Sequence, residues 1–421
     1  MRHFPDLPVL RDVLEASGEC IPQTLRDVGL VCCQHLLSTT GSLIESLCDC
    51  GLDPSRVFLL GKVYSSNSEV VQKLQTMGCT VISGSHAPAY GTHSQSLRGD
   101  ARQLWKMAAE RLGGAISKVV IVDDGGMMHL EMPMELQSTR RVAGVEQTTF
   151  GIGHYAAIET RGIPVINVAS AAAKRHYETP LVCEALIRRV RQHLIAGKVK
   201  CPCGVIGLGK VGLQLAKALG DIGHAVFGFD KNSQRLEMLP KSRQCSCASE
   251  VVERAQFVFG CVGDDALRMN DVLLMGGGTR VFASCSTGDI EFRSLLLADF
   301  RWTPVGESTG PCPTLEAVYP SNLRLRILRS GYPVNFDNSP ESVPARDIQL
   351  TRALLLAAVL QACQLLNQRK FEKPPGSLML DPIMQRRIVE SWRRHSGRGT
   401  SAVPDVDWFT RESRGNWIEL E

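Results

Sequence analysis

Residues 204–212 read Gly204-Val205-Ile206-Gly207-Leu208-Gly209-Lys210-Val211-Gly212, and the rest of the chain is organised around this run. Val205 and Ile206 end a short apolar stretch with the look of a buried strand, and G-x-G-x-x-G follows where a helix should begin. Val211, Leu215, Ala218 and Leu219 then recur at helical spacing. A second apolar run at 225–229 ends in Asp230, 23 residues past Gly207. Each position has a physical task in dinucleotide binding. Gly207 permits the tight turn, Gly209 lets a pyrophosphate reach the backbone, and Gly212 lets the helix pack close to its strand. Lys210 and Val211 open the helix, whose free N–H groups and positive dipole end face the phosphates. Asp230 would accept hydrogen bonds from the adenosine ribose and repel a 2′-phosphate, so the expected cofactor is NAD and not NADP.

A chain of 421 residues is long enough for two domains, and 44% hydrophobic residues can supply a large core. The net charge of +4 is small, and the basic residues are dispersed until Arg386, Arg387, Arg393, Arg394, His395 and Arg398, which read with Trp392 as a solvated or docking tail. Composition therefore makes no case for a nucleic-acid partner. No stretch reads as a membrane span or a secretory signal, and the longest apolar run, 353–360, is expected as a buried helix. The fifteen cysteines form no even framework, so they are expected as reduced thiols of a cytoplasmic protein. Three C-x-C pairs, Cys48/Cys50, Cys201/Cys203 and Cys245/Cys247, are tighter than structural zinc spacing and lie in different elements, so no metal is expected.

Strand-like runs at 30–33, 57–60, 80–83, 119–122 and 165–168 alternate with helical stretches, which implies a parallel sheet covered on both faces. Ligands of such sheets bind beyond the carboxyl ends of strands. His35 and Asp123-Asp124-Gly125-Gly126 occupy those positions. Thr179-Pro180 reads as a helix N-cap followed by proline in the first turn, opening a helix over 181–195 that leads into the glycine loop as a hinge. The expected architecture is α/β with two domains: a Rossmann-type NAD-binding domain at 180–344 inserted into a doubly wound α/β substrate domain. That substrate domain takes 1–178 and a returning helix at 345–372, and 373–421 forms the basic tail.

Val145-Glu146-Gln147-Thr148-Thr149-Phe150-Gly151, Ile163-Pro164-Val165-Ile166-Asn167-Val168, Lys174, Cys183 and the segment 195–199 before the glycine loop carry a resemblance to S-adenosylhomocysteine hydrolases, over about 28–366. The resemblance implies an adenosine-binding homo-oligomer and a redox cycle on tightly held NAD: oxidation of the ribose 3′-hydroxyl, loss of the C4′ proton, elimination of the 5′-thioether, addition of water and re-reduction. It also implies roles. His35 and Asp124 match the acid/base pair of the 5′ side and Lys174 matches the lysine at the 3′-hydroxyl. Thr148 and Thr149 match threonines that touch NAD, Cys183 a cysteine near the nicotinamide, and Asn335 an asparagine of the cofactor loop.

Several positions depart from the family pattern. Gln147 stands for a glutamate, Glu178 for an aspartate, Thr179 for an asparagine, and Cys285-Ser286-Thr287 for Ile-Gly-His. The glycine-rich run ending in His-Pro is replaced by Phe336-Asp337-Asn338-Ser339-Pro340-Glu341, and the adenine-reading threonine and glutamate are Leu37 and Thr39. Trp417-Ile418-Glu419 stands near the chain end, without the lysine and tyrosine that reach a neighbouring subunit. The expectation is an NAD-dependent protein that oxidises, with or without elimination, a nucleoside-like or other small hydroxylated molecule other than S-adenosylhomocysteine. Lys174 and Glu178 would activate the hydroxyl, with His35 and Asp124 as acid and base and Cys183 by the nicotinamide. The alternative is an inactive NAD-binding regulator. A 2-hydroxyacid dehydrogenase fits less well, because Ser284-Cys285-Ser286-Thr287 follow the strand-like run at 281–283 and supply no arginine.

Overall fold

Short apolar runs bounded by turn residues become the central strands of two sheets. The computed structural model describes the chain apart from residues 1, 19–24, 86–91, 114–115, 155–161, 197–198, 274–276, 299–300, 307–309, 320–321, 369–376, 400–401 and 415–421. It divides into one unit of residues 1–178 and 338–421 and a second of residues 179–337.

In the first unit the strands are β1 (Val28–Cys33), β2 (Val57–Leu60), β3 (Thr80–Ile82), β4 (Lys118–Asp123), β5 (Arg141–Glu146) and β6 (Val165–Asn167). The second holds β7 (Cys203–Ile206), β8 (Val226–Phe229), β9 (Phe257–Gly260), β10 (Gly278–Ser284), β11 (Thr303–Val305), β12 (Thr314–Val318) and β13 (Leu323–Ile327). The chain then returns to the first sheet with β14 (Ser377–Met379). The first sheet runs β14-β6-β5-β4-β1-β2-β3 and is parallel throughout. Its strand order reverses between β1 and β4, so the crevice beyond their carboxyl ends is a topological switch point. The second sheet runs β8-β7-β9-β10-β13-β12-β11, parallel as far as β13 and then antiparallel. Its reversal lies between β7 and β9. The sequence reading lacks β5, β11, β12 and β14.

Strands buried in a parallel sheet are apolar on both faces. Val31, Cys33, Val119 and Ile121 point one way, into a cluster with Leu97, Leu104, Trp105 and Ala108 of the helix His93–Leu112. The helix Ala345–Asn367 packs over β4, β5 and β6. By length and composition alone it could cross a membrane, contrary to the expectation that no stretch could, but most of its residues are buried in the first unit and it is apolar almost all round for that reason. One arginine, Arg352, is buried within it.

One expectation changes and one is narrowed. Pro180 does not open a helix: one helix runs Ala172–Leu194 with Pro180 inside it, and the unit boundary falls just before, between Glu178 and Thr179. Proline costs an internal helix one hydrogen bond and a clash. The basic stretch after 376, expected as a solvated or docking tail, docks. β14 pairs with β6, and the helix Pro382–Ser396 buries Ile388, Val389 and Trp392. The Trp392 indole donates to the Asp347 carbonyl at 2.7 Å, Arg398 grips the Asp347 carboxylate at 2.9 and 3.0 Å, and Arg394 and His395 contact Asp12 at 3.1 and 3.2 Å. The apolar stripe outweighs the charge count, and most of those charges have partners. Trp417 lies outside the described residues.

Trp392→Ala is expected to destabilise the first unit by on the order of 3–5 kcal/mol, read by urea unfolding of the full chain. An unchanged midpoint would show that this helix does not belong to the core.

Candidate active site

Asp123 ends β4 and Asp124 follows it, and the two serve different ends. The Asp123 Oδ2 accepts from the Met128 and His129 amides at 2.7 and 3.1 Å and lies 3.0 Å from His129 Nδ1, so its charge is spent on fixing the turn. Gly125 and Gly126 make that turn with φ of 110° and 77°. Asp124 stands buried beyond the carboxyl end of β4, at the switch point. One carboxylate oxygen pairs with the Lys62 ammonium, and the other accepts from the Gln147 amide and lies 3.4 Å from His35 Nε2. His35 Nδ1 is 2.6 Å from the Ser65 hydroxyl. Lys62, two residues past β2, is fully buried.

Charge inside protein is costly unless it is paired. Burial pushes the Asp124 carboxyl up, but Lys62 and then His35 outweigh it and hold the group well below the usual carboxylate range. Burial likewise disfavours the Lys62 ammonium, and Asp124 more than restores it. His35 goes the other way: burial lowers its pKa despite Asp124, which leaves a neutral imidazole near pH 7. A neutral ring that donates Nε2–H to Asp124 accepts from Ser65 at Nδ1.

Other positions join this cluster. Lys174 and Glu178, one helical turn apart, form a mostly buried ion pair. Arg352 donates from Nε to the Thr39 hydroxyl at 3.2 Å, and its charge acts on His35 and is felt with those of Glu341, Glu178 and Asp124. Glu341 accepts from the Thr39 amide at 2.6 Å and hydroxyl at 3.2 Å, and burial raises it to about 7, with Arg352 opposing. Gln147, which stands where the family has a glutamate, donates its amide to Asp124. Leu37 is buried, and Thr39 is engaged with Glu341 and Arg352.

Thr148 donates its hydroxyl to Glu146 at 2.7 Å and accepts from the Gly151 amide at 2.9 Å, capping the short helix Thr149–Gly153, on which Thr149 is exposed. Burial, then Asp123, raises Glu146 well above the carboxylate range, so it sits in the turn as a neutral acid. Lys62 and Arg352 are absent from the sequence reading, and Glu341 enters it only as the end of the run 336–341 that replaces a family motif. The available signals were a lysine two residues after a strand-like run and a lone arginine inside the apolar stretch 348–366.

In the second unit the glycine loop fits a dinucleotide. Gly207 has φ of 90°, and a Cβ there would stand 2.7 Å from the Cys261 carbonyl, while one at Gly212 would stand 1.9 Å from the Gly207 oxygen. Gly209 caps the helix Lys210–Asp221 without a side-chain bond, and a Cβ on it would meet nothing within 4 Å, so the space over the free amides is open. Asp230 accepts from the Leu208 amide at 2.6 Å and the Asn232 amide at 2.8 Å, one per oxygen, with acceptor capacity left for ribose hydroxyls. Asn335 follows Val334, whose amide bonds Ser284 at 3.1 Å beside the end of β10. Cys183 packs in the apolar cluster beneath the helix, its thiol 3.6 Å from the Val211 carbonyl and pushed up to about 12 by burial, so it acts as a packed apolar group. Glu291, also absent from the sequence reading, accepts from the Gly263 and Val262 amides past β9 at 2.9 and 3.3 Å, and burial raises it to about 7. Cys201 and Cys203 lie near His224, with ligand atoms within 4.8 Å of one another.

Residues 202–291 match the family model for the NAD binding domain of 6-phosphogluconate dehydrogenase. The second unit is an NAD-binding domain of Rossmann type. Its cofactor is NAD. Over 344 residues the chain is 30% identical to an uncharacterized protein of Mycobacterium tuberculosis, present in two strains, covering 81% of this chain and 65% of that protein's length. An adenosylhomocysteinase of Sulfurisphaera tokodaii is 28% identical over 168 residues, 38% of this chain and 40% of its own. Among solved structures, NAD-bound 3-phosphoglycerate dehydrogenase of Entamoeba histolytica aligns over 83% of this chain and 99% of its own at 13% identity, with a TM-score of 0.38.

His93 packs edge-on against Tyr64 in the first unit, and burial, then Lys62, lowers its pKa to about 3. The unfolded histidine takes a proton below about 6.5 and the folded one does not. The stability it contributes is therefore complete above that pH and is lost as pH falls towards 3. Between pH 7 and pH 5 (roughly the upper half of this window), wild type should lose more thermal stability than His93→Gln. Parallel Tm curves would contradict this.

Proposed function

We propose that the protein is an NAD-dependent oxidoreductase related to adenosylhomocysteinase, acting on a small molecule that is nucleoside-like or otherwise hydroxylated and is not ordinary S-adenosylhomocysteine. The buried Lys62–Asp124–His35 array at the switch point carries this reading, in a chain that also holds an NAD-binding domain. Bound NAD would supply hydride acceptance. The Lys174–Glu178 pair would take the hydroxyl proton, sharing it between amine and carboxylate. Asp124, held ionised by Lys62, is a weak base and a good orienter. The neutral His35 is the stronger base, and it would accept the proton from the carbon beside the new carbonyl, at Nδ1 by way of the Ser65 hydroxyl. Leu37, which is apolar, and Thr39, which is already engaged, give adenine no polar contact like that of the family, and this supports a different substrate.

A regulatory, non-catalytic reading draws on Gln147, whose amide nitrogen is held by Asp124, and on Thr148, whose hydroxyl is taken up by Glu146. Lys174→Met separates the two. It should abolish NAD reduction across a panel of nucleosides and small polyols while leaving NAD affinity within about threefold, near 0.7 kcal/mol. A wild type that never reduces NAD across that panel would favour the regulator.

The domain should also prefer NAD to NADP. Asp230→Ala should weaken NAD binding by about 1.5–3 kcal/mol for each lost hydrogen bond to charge. Equal dissociation constants for the two cofactors on wild type, measured by calorimetry, would overturn the role given to Asp230.

A further inference from the structure

We propose that Arg352 receives a carboxylate of the substrate, so that the first unit's crevice is built for a hydroxylated carboxylic acid and not for a neutral nucleoside. This rests on reading that crevice as the substrate site. Arg352 is 4% exposed, and among the described residues its guanidinium makes one hydrogen bond, from Nε to Thr39. Neither Nη nitrogen has a partner there, and neither is sealed from solvent. Glu341, Glu178 and Asp124 act on it through space, and none is within ion-pair distance. A guanidinium withdrawn almost wholly from water, with outer N–H groups that have no protein partner, is costly, and that fork matches a carboxylate in two parallel hydrogen bonds.

The charges around it select the ligand. Lys62 is committed to Asp124 and Lys174 to Glu178, so Arg352 is the uncommitted cation of the cluster. One free positive charge balances a carboxylate, whereas a phosphate monoester carries nearly two negative charges. Glu341, raised to about 7, presents less than a full opposing charge at neutral pH. Thr39 is held between Glu341 and Arg352 and fixes the guanidinium through Nε, leaving the outer edge presented.

The test uses the full chain loaded with NAD and matched probes: gluconate against glucitol, adenosine-5′-carboxylate against adenosine, and adenosine 5′-monophosphate. Calorimetry should show at least one carboxylate binding about tenfold or more tighter than its neutral partner, a difference of about 1.4 kcal/mol. Arg352→Met should erase that preference, Arg352→Lys should keep part of it, and NAD affinity should be unchanged in both. The assignment fails if no carboxylate outbinds its neutral partner, if the preference survives Arg352→Met, or if the monophosphate binds tighter than the carboxylate. Should Arg352→Met not fold, Arg352→Lys decides by the same comparison. NADH absorbance in the same titrations separates the two claims. Carboxylate binding without NAD reduction sinks the redox reading and keeps Arg352 as receptor, whereas NAD reduction by neutral probes alone does the reverse.

Discussion

Asp124 keeps its negative charge inside the protein because Lys62 is buried beside it, and the chemistry of the first crevice depends on that pairing. Each ion alone would face a desolvation cost of several kcal/mol. Together they set a fixed field in which His35 stays neutral and oriented, Gln147 donates to Asp124, and Arg352 is left as the cation without a direct carboxylate. The strand order brings them together: β1, β2 and β4 are adjacent, and all three loops leave from their carboxyl ends.

The sequence makes some of this visible, because some requirements are local. A tight turn, a close backbone approach and a helix packed on its strand each demand glycine at a set offset, and Gly207, Gly209, Gly212 and Asp230 satisfy them within one short stretch. His35 and Asp124 could be singled out because both follow buried runs in an alternating α/β pattern. Lys62, Glu341 and Arg352 could not, since they come from three segments that only the folded topology joins. Pro180 misled for a different reason: proline's preference for a first turn is a tendency, and packing along Ala172–Leu194 overrides it. Counting arginines after 376 hid the stripe of Ile388, Val389 and Trp392, although side-chain packing and not charge decides whether a helix docks.

Residues that match a family motif are also put to other uses here. Thr148 caps a helix and closes a loop around the neutral acid Glu146, and Thr39 bridges an arginine and a glutamate. A motif can persist as structure after its contacts have been reassigned, because the backbone turn it specifies is still needed.

β14 reaches its place beside β6 from far along the chain, with the whole second unit between them. During synthesis, from the N-terminus onward, the second unit is therefore complete in sequence before the first sheet can be. Until Met379 has emerged, β6 presents an unpaired strand edge, the kind of surface that recruits foreign strands. The last segment of the first unit thus also serves as a closing piece, and the interval before it arrives is when the nascent chain is most exposed to misassembly.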